Sequence, residues 1–202
     1  MIRYSVWIAL LMGYYGYSQN NCSVAGVKSF QTTINTEYAT RGESPLKEKD
    51  FQEFKTLDFF PIDLKYCIVA KFIRTEKEKP FEMPTSSGKQ KRFVKYGEAQ
   101  FTINGTSLKL NIYKSLDLTK LKKYKDNLFL PFTDLTSGVT TYGGGRYIDL
   151  LTTDIVGETI TIDFNKAYNP YCAYSENYSC PIPPEANDLK IEIRAGVKKF
   201  HD

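Results

Sequence analysis

The sequence predicts a mainly β domain, a β-rich α+β fold. Its expected form is an antiparallel curved sheet, sandwich or partly open barrel of about eight strands with one or two N-terminal helices. Three observations predict it. Apolar and polar residues alternate over several short segments, the period of a strand with one face out of water. Aromatics are dense, fifteen Tyr and thirteen Phe in 202 residues, and such rings suit a pleated sheet surface. The strand-like segments also follow one another without helices between them, which favours antiparallel neighbours. The length suits one well-cored domain and is short for two.

The N-terminus reads as a leader. Arg3 supplies a positive start, and Tyr4 to Tyr17 is apolar or aromatic without charge. Gly16-Tyr17-Ser18-Gln19-Asn20 then turns small and polar. This is the layout of a secretory signal peptide over residues 1–19, with cleavage near Ser18 or Gln19. The apolar run, ~14 residues, falls short of the ~20 that span a bilayer. Asn20 and Asn21 precede Cys22, so the lipobox of a lipidated cysteine is missing. The chain from 20 to 202 is expected to be one exported domain, periplasmic or extracellular, with no membrane segment after cleavage.

Residues 20–35 read as a loose lead-in or the start of a helix. Ser44-Pro45 looks like a helix start, and Phe51, Phe54 and Leu57 recur at helical spacing, so a helix is expected near 45–57. Alternation then marks strands over 64–72, 93–96, 98–103 and 108–113. Asn104-Gly105 supplies a two-residue hairpin turn after 103. Residues 74–92, charged and carrying Pro80, Pro84 and Gly88, read as a loop or irregular edge. Further strands are expected at 128–130, ended by Pro131, then at 147–151, 159–164 and 189–194.

Several chemistries lose support. His201 is the sole histidine and stands one residue from the C-terminus, so a Ser-His-Asp triad, a Cys-His dyad or a multi-histidine metal site is not expected. No phosphate-binding glycine motif and no C-x-x-C spacing occur, so no metal or cofactor is predicted. A net charge of +4, from 27 basic and 23 acidic residues, is too balanced for a nucleic-acid groove, and Lys120 to Lys125 reads as a solvated face. Carboxylate chemistry survives, because it needs only two placed acids. Four cysteines allow three pairings. Cys172 and Cys180, close in the chain, are the favoured pair for a local staple.

Residues 128–184 hold the densest polar patch. Gly143-Gly144-Gly145 precedes Arg146, and bare amides beside a guanidinium can cradle an anion. Asp134, Thr136 and Tyr142 lie upstream; Asn165, Tyr168 and Asn169 lie downstream. These ten residues form the candidate site for a small polar or anionic ligand. The same run serves equally as scaffold if the glycines mark a sheet corner and Arg146 pairs with Asp134 or Asp163. The alternative activity is a hydrolase in which Asp134 and Asp163, or Asp149, share a cleft.

The same stretch carries a resemblance. Pro131-Phe132-Thr133-Asp134-Leu135-Thr136, Thr141-Tyr142-Gly143-Gly144-Gly145-Arg146-Tyr147, Asp163-Phe164-Asn165-Lys166-Ala167-Tyr168-Asn169-Pro170 and Cys172, Cys180 and Pro181 to Pro184 are similar to the bacterial family called domain of unknown function 1684. The resemblance covers about residue 40 to Phe200. It implies no activity and no catalytic residue. At Ala195-Gly196-Val197-Lys198, Val197 replaces the acid of a family Ala-Gly-Glu-Lys segment.

Overall fold

A computed structural model of the protein describes residues 22–201. The leader and its cleavage point lie outside the described residues. Two helices precede the sheet, α1 (Val24–Ala39) and α2 (Glu48–Glu53). The region expected as a lead-in or the start of a helix is the longer helix. Ser23 accepts the Gly26 amide at 3.0 Å to cap it, and Val27, Ile34 and Tyr38 are buried along one face. The expected helix at 45–57 shrinks to α2. Ser44 accepts the Leu46 amide at 3.3 Å in a local turn, and Lys47 precedes the helix without a side-chain cap.

The strands are β1 (Cys67–Arg74), β2 (Phe81–Pro84), β3 (Gln90–Ile103), β4 (Thr106–Ser115), β5 (Asn127–Phe132), β6 (Arg146–Leu151), β7 (Ile155–Val156) and β8 (Thr159–Asp163). They form an open antiparallel sheet in the order β6-β5-β4-β3-β1-β8-β7, with β2 paired to β3. The strand total matches expectation through compensating differences. Segments 93–96 and 98–103 are one strand with an irregularity between Lys95 and Gly97, while β2 and β7 are additions to the expected set. A Cβ at Gly97 would sit 2.4 Å from the Phe72 ring, so only glycine fits there. The irregularity exchanges the faces of β3. Phe93 joins Met83 and Tyr113 on the outer face, and Ala99, Phe101 and Ile103 join the main core. Asn104 and Gly105 take φ of 50° and 78° in the predicted hairpin turn.

Residues 189–194 do not form a strand. Leu189 and Ile193 are buried, and Lys190, Glu192 and Arg194 are exposed, so the alternation is real. Their backbone bonds go elsewhere than to a ladder. The Leu189 amide donates to the Thr133 carbonyl at 2.8 Å and the Ile191 carbonyl accepts from the Leu135 amide at 3.0 Å. Ile193 bonds to the Asp134 and Arg146 side chains. Pro131 lies within β5 rather than ending it, opposite Tyr147. A bridge from Tyr147 to Tyr168 extends the sheet beyond β6.

Alternation along β5 and β6 separates two environments. Leu128, Leu130, Phe132, Ile148 and Leu150 enter the main core, which the C-terminal segment covers with Leu189, Ile193 and Ala195. Phe129, Tyr147 and Asp149 occupy the alternate positions, and they face α1 and the 168–181 segment across an open cleft.

Candidate functional site

Arg146, the expected anion-binding cation, is fully buried. Its Nη2 donates to Asp134 Oδ2 at 2.7 Å and to the Ile193 carbonyl at 2.9 Å, and its Nη1 donates to the Ala195 carbonyl. Asp134 Oδ1 accepts from the Thr136 amide at 2.8 Å, the Thr136 hydroxyl at 2.6 Å and the Ile193 amide at 3.3 Å. Thr136 and Thr141 share a further hydroxyl contact at 2.9 Å. Burial disfavours the guanidinium charge, and the Asp134 carboxylate opposes that effect. The pair ties the 134–141 loop, the start of β6 and residues 193–195 into one buried unit. The structure thus places the cation expected in an anion cradle at Gly143–Arg146 on internal partners, away from the surface.

The glycines divide in the same way. Gly145 has φ of 86°, and a Cβ there would lie 2.6 Å from the Phe132 carbonyl oxygen. Gly143 and Gly144 are exposed. The run is thus a tight entry to β6.

Asn165 and Asn169 are buried scaffold too. Asn165 exchanges hydrogen bonds with the Asp63 backbone at 3.0 Å each way and donates to Asp163 Oδ1 at 2.9 Å. Asn169 Nδ2 donates to the Lys198 carbonyl at 2.8 Å. The predicted carboxylate pairing fails on geometry. Asp134 turns inward to Arg146, whereas Asp149 occupies the opposite face of β6. Asp163 is engaged with Asn165.

The structure gathers a different set of groups in the cleft, which measures about 880 Å³. Its walls include Phe30, Glu37 and Tyr38 from α1, Phe93, Phe129, Tyr147 and Asp149 from the sheet, and Tyr168 and Tyr171 from the following segment. Two carboxylate–phenol pairs stand in it. The Tyr168 hydroxyl donates to Asp149 Oδ2 at 2.8 Å, and the Tyr171 hydroxyl donates to Glu37 Oε1. Asp149 meets solvent through the cleft, yet protein surrounds it on the other sides. That desolvation raises its pKa, the Tyr168 hydrogen bond opposes the rise, and the Glu37 charge adds to it. Burial likewise raises the Tyr168 and Tyr171 phenols, and the adjoining carboxylates reinforce this. No cation contributes to the shift at Asp149.

Of the ten predicted ligand residues, Tyr168 lines this cleft. Tyr142 lies elsewhere, half-buried with its hydroxyl 3.8 Å from Cys172 Sγ. Sequence reasoning missed Glu37, Phe129, Tyr147 and Tyr171 as site residues. A signal for two of them was present, since Phe129 and Tyr147 are aromatic at strand positions out of phase with the core. The facing of α1 onto them is tertiary.

The expected Cys172–Cys180 staple is replaced as well. The disulfide joins Cys22 to Cys67, and Cys172 and Cys180 are free thiols that face each other. Among the described residues no cluster of three or more metal-binding side chains occurs, and no helix is long and apolar enough to cross a membrane.

The fold and site define a mainly β α+β domain with a lateral aromatic cleft. The model of the family described as "Protein of unknown function (DUF1684)" matches residues 52–198, and the chain belongs to that family. A similar solved structure is the solution NMR structure of an uncharacterised protein from Haloarcula marismortui. It is 29% identical, with a TM-score of 0.68, over 86% of this chain and 92% of that one. No curated protein matches the chain.

Proposed function

We propose that the protein is an exported small-ligand-binding domain whose site is the cleft between α1 and the outer face of β5 and β6. The observation that carries this reading is the pairing of Asp149 with Tyr168 and of Glu37 with Tyr171 on the walls of an aromatic cavity of about 880 Å³. A cavity of that size with apolar walls and a few convergent polar groups suits a ligand of modest size. Two carboxylates facing the cleft, one of them desolvated, favour a polar ligand that donates hydrogen bonds, neutral or positively charged. Rings such as Phe129 and Tyr147, 4.7 Å apart edge to face, offer stacking and cation–π contacts to such a ligand. The anionic ligand expected from Arg146 has no comparable support.

The test is a binding screen by thermal shift with three sets of probes: organic ammonium ions, neutral sugars and carboxylates. Ammonium or sugar probes are expected to raise the melting temperature, and Asp149→Asn is expected to weaken any hit about tenfold, the worth of a hydrogen bond to a charged group. An undiminished response in both Asp149→Asn and Phe129→Ala would refute the cleft as the site.

Export rests on the apolar run from Tyr4 to Tyr17 and on the Cys22–Cys67 disulfide, a bond at home in oxidising compartments. N-terminal sequencing of protein recovered from the periplasm or medium is expected to start near residue 19 or 20. Recovery solely from the cytoplasm, with the leader intact, would refute it.

A second reading has one specific observation behind it. Asp149, raised, and Glu37, in the same cleft, are the carboxylates that hydrolysis would use, in place of Asp134 and Asp163. Turnover of aryl glycosides that disappears in both Asp149→Asn and Glu37→Gln would favour it over binding alone.

A further inference from the structure

Cys172 sits in the turn Tyr171–Ala173, and Cys180 ends the loop that follows. The Cys172 amide donates to Cys180 Sγ at 3.2 Å, and the Cys180 amide donates to Ser86 Oγ at 3.2 Å. Cys180 is buried and Cys172 half-buried. Cys180 also lines the cleft, beside Tyr178, Ser179 and Pro181. Two free thiols thus stand together while a separate disulfide closes the other cysteine pair.

We propose that Cys172 and Cys180 form a reversible dithiol–disulfide pair at the wall of the cleft, with Cys172 as the attacking thiol and Cys180 as the resolving one. The roles follow from exposure, since Cys172 is half-buried and the more open of the two, whereas Cys180 is buried. The electrostatics agree. Hydrogen bonding from Cys180, together with the Ser86 and Tyr142 hydroxyls, outweighs burial and pushes the Cys172 thiol down to about 6. Cys180, which donates to Cys172 and is also desolvated, is pushed well above the ordinary thiol value. The thiolate is the nucleophile in exchange chemistry, so the thiol that is pushed down, Cys172, is the one placed to attack.

The exchange balances with oxidised glutathione as the oxidant. The Cys172 thiolate attacks one glutathione sulfur, the glutathione S–S bond breaks, and one glutathione leaves as thiolate. Cys180 then passes its proton to that thiolate and attacks Cys172 Sγ, expelling the second glutathione. The protein dithiol is oxidised by two electrons, and one disulfide becomes two thiols. Closure would cross-link the loop whose residues Asn177 to Pro181 border the cleft. The pair depends on the two thiols and stands whether or not the cleft takes a ligand.

Purified protein is equilibrated in glutathione buffers of graded reduced-to-oxidised ratio, acid-quenched, alkylated and peptide-mapped by mass spectrometry. The 172–180 disulfide is expected to rise with the oxidised fraction while Cys22–Cys67 stays closed throughout. Cys180→Ser is expected to accumulate glutathione on Cys172, and Cys172→Ser to take up at least tenfold less. In the wild type, iodoacetamide labelling of Cys172 is expected to rise with a midpoint near pH 6. Equal labelling of the two thiols, a stable glutathione adduct on the wild type without the internal bond, or no response to the buffer ratio would each overturn the proposal. The wild-type series gives this answer even if a variant fails to fold.

Discussion

Replacing Arg146 by Met tests the central claim that the patch is scaffold. The guanidinium and the Asp134 carboxylate are both fully buried and 2.7 Å apart. Arg146→Met leaves a lone carboxylate in that setting and strips the donors from the Ile193 and Ala195 carbonyls. Breaking a buried pair from one side costs about 3–5 kcal/mol. For a domain of this size that lowers the melting temperature by about 6–20 °C. The double variant Arg146→Met/Asp134→Asn separates charge from hydrogen bonding. The neutral side-chain carbonyl that Asp134→Asn introduces would still accept the Thr136 and Ile193 amides, and an amide nitrogen takes the place of Oδ2, so the groups that lose their partners are neutral rather than charged, at about 1–3 kcal/mol for such groups. The double variant should therefore be the more stable of the two. Urea denaturation followed by circular dichroism measures both. A loss below about 1 kcal/mol in the single variant, or a double variant no better than it, would refute the buried-pair account.

Other expectations are sharper at single positions. Gly145→Ala forces a Cβ to 2.6 Å from the Phe132 carbonyl at positive φ and should cost about 1–3 kcal/mol, whereas Gly143→Ala, with a nearest contact of 3.5 Å, should stay within about 0.5; chemical denaturation compares them. Asn187 is fully buried and bonds both backbone groups of Asn111 and the Pro131 carbonyl, so Asn187→Ala should cost about 2–4 kcal/mol and expose β4 amides to hydrogen exchange. Asp149 holds its proton to higher pH when folded than when unfolded, so the native state binds the extra proton in that interval. Stability should fall as pH rises from about 3.9 through the folded pKa and level off above it. Asp149→Asn should flatten that slope in pH-dependent melts; an unchanged slope would count against the assignment.

Local patterning carries much of the framework. Period-two alternation locates most of the strands, because a strand with one wet face must alternate. Asn104-Gly105 marks its turn, because two successive positive φ angles admit few residues. The same logic misreads 189–194, whose alternation reflects an extended chain bonded to Asp134, Arg146 and neighbouring loops instead of to a strand. It leaves α1 open between a lead-in and the start of a helix, although Val27, Phe30, Ile34 and Tyr38 repeat at helical intervals.

Long-range packing settles what local patterning leaves open. Arg146 beside three glycines has the same letters whether it faces a ligand or a buried aspartate. What separates the two outcomes is the arrival of residues 193–195 from the far end of the chain. Spacing along the chain does not decide cysteine pairing: the fold joins Cys22 to Cys67 across 45 positions, while Cys172 and Cys180, neighbours in the chain, are thiols. The cleft has no local signature, because α1, β5, β6 and the 168–181 segment each supply one wall. Its chemistry exists only where distant parts of the chain bring Glu37 and Asp149 to the same cleft.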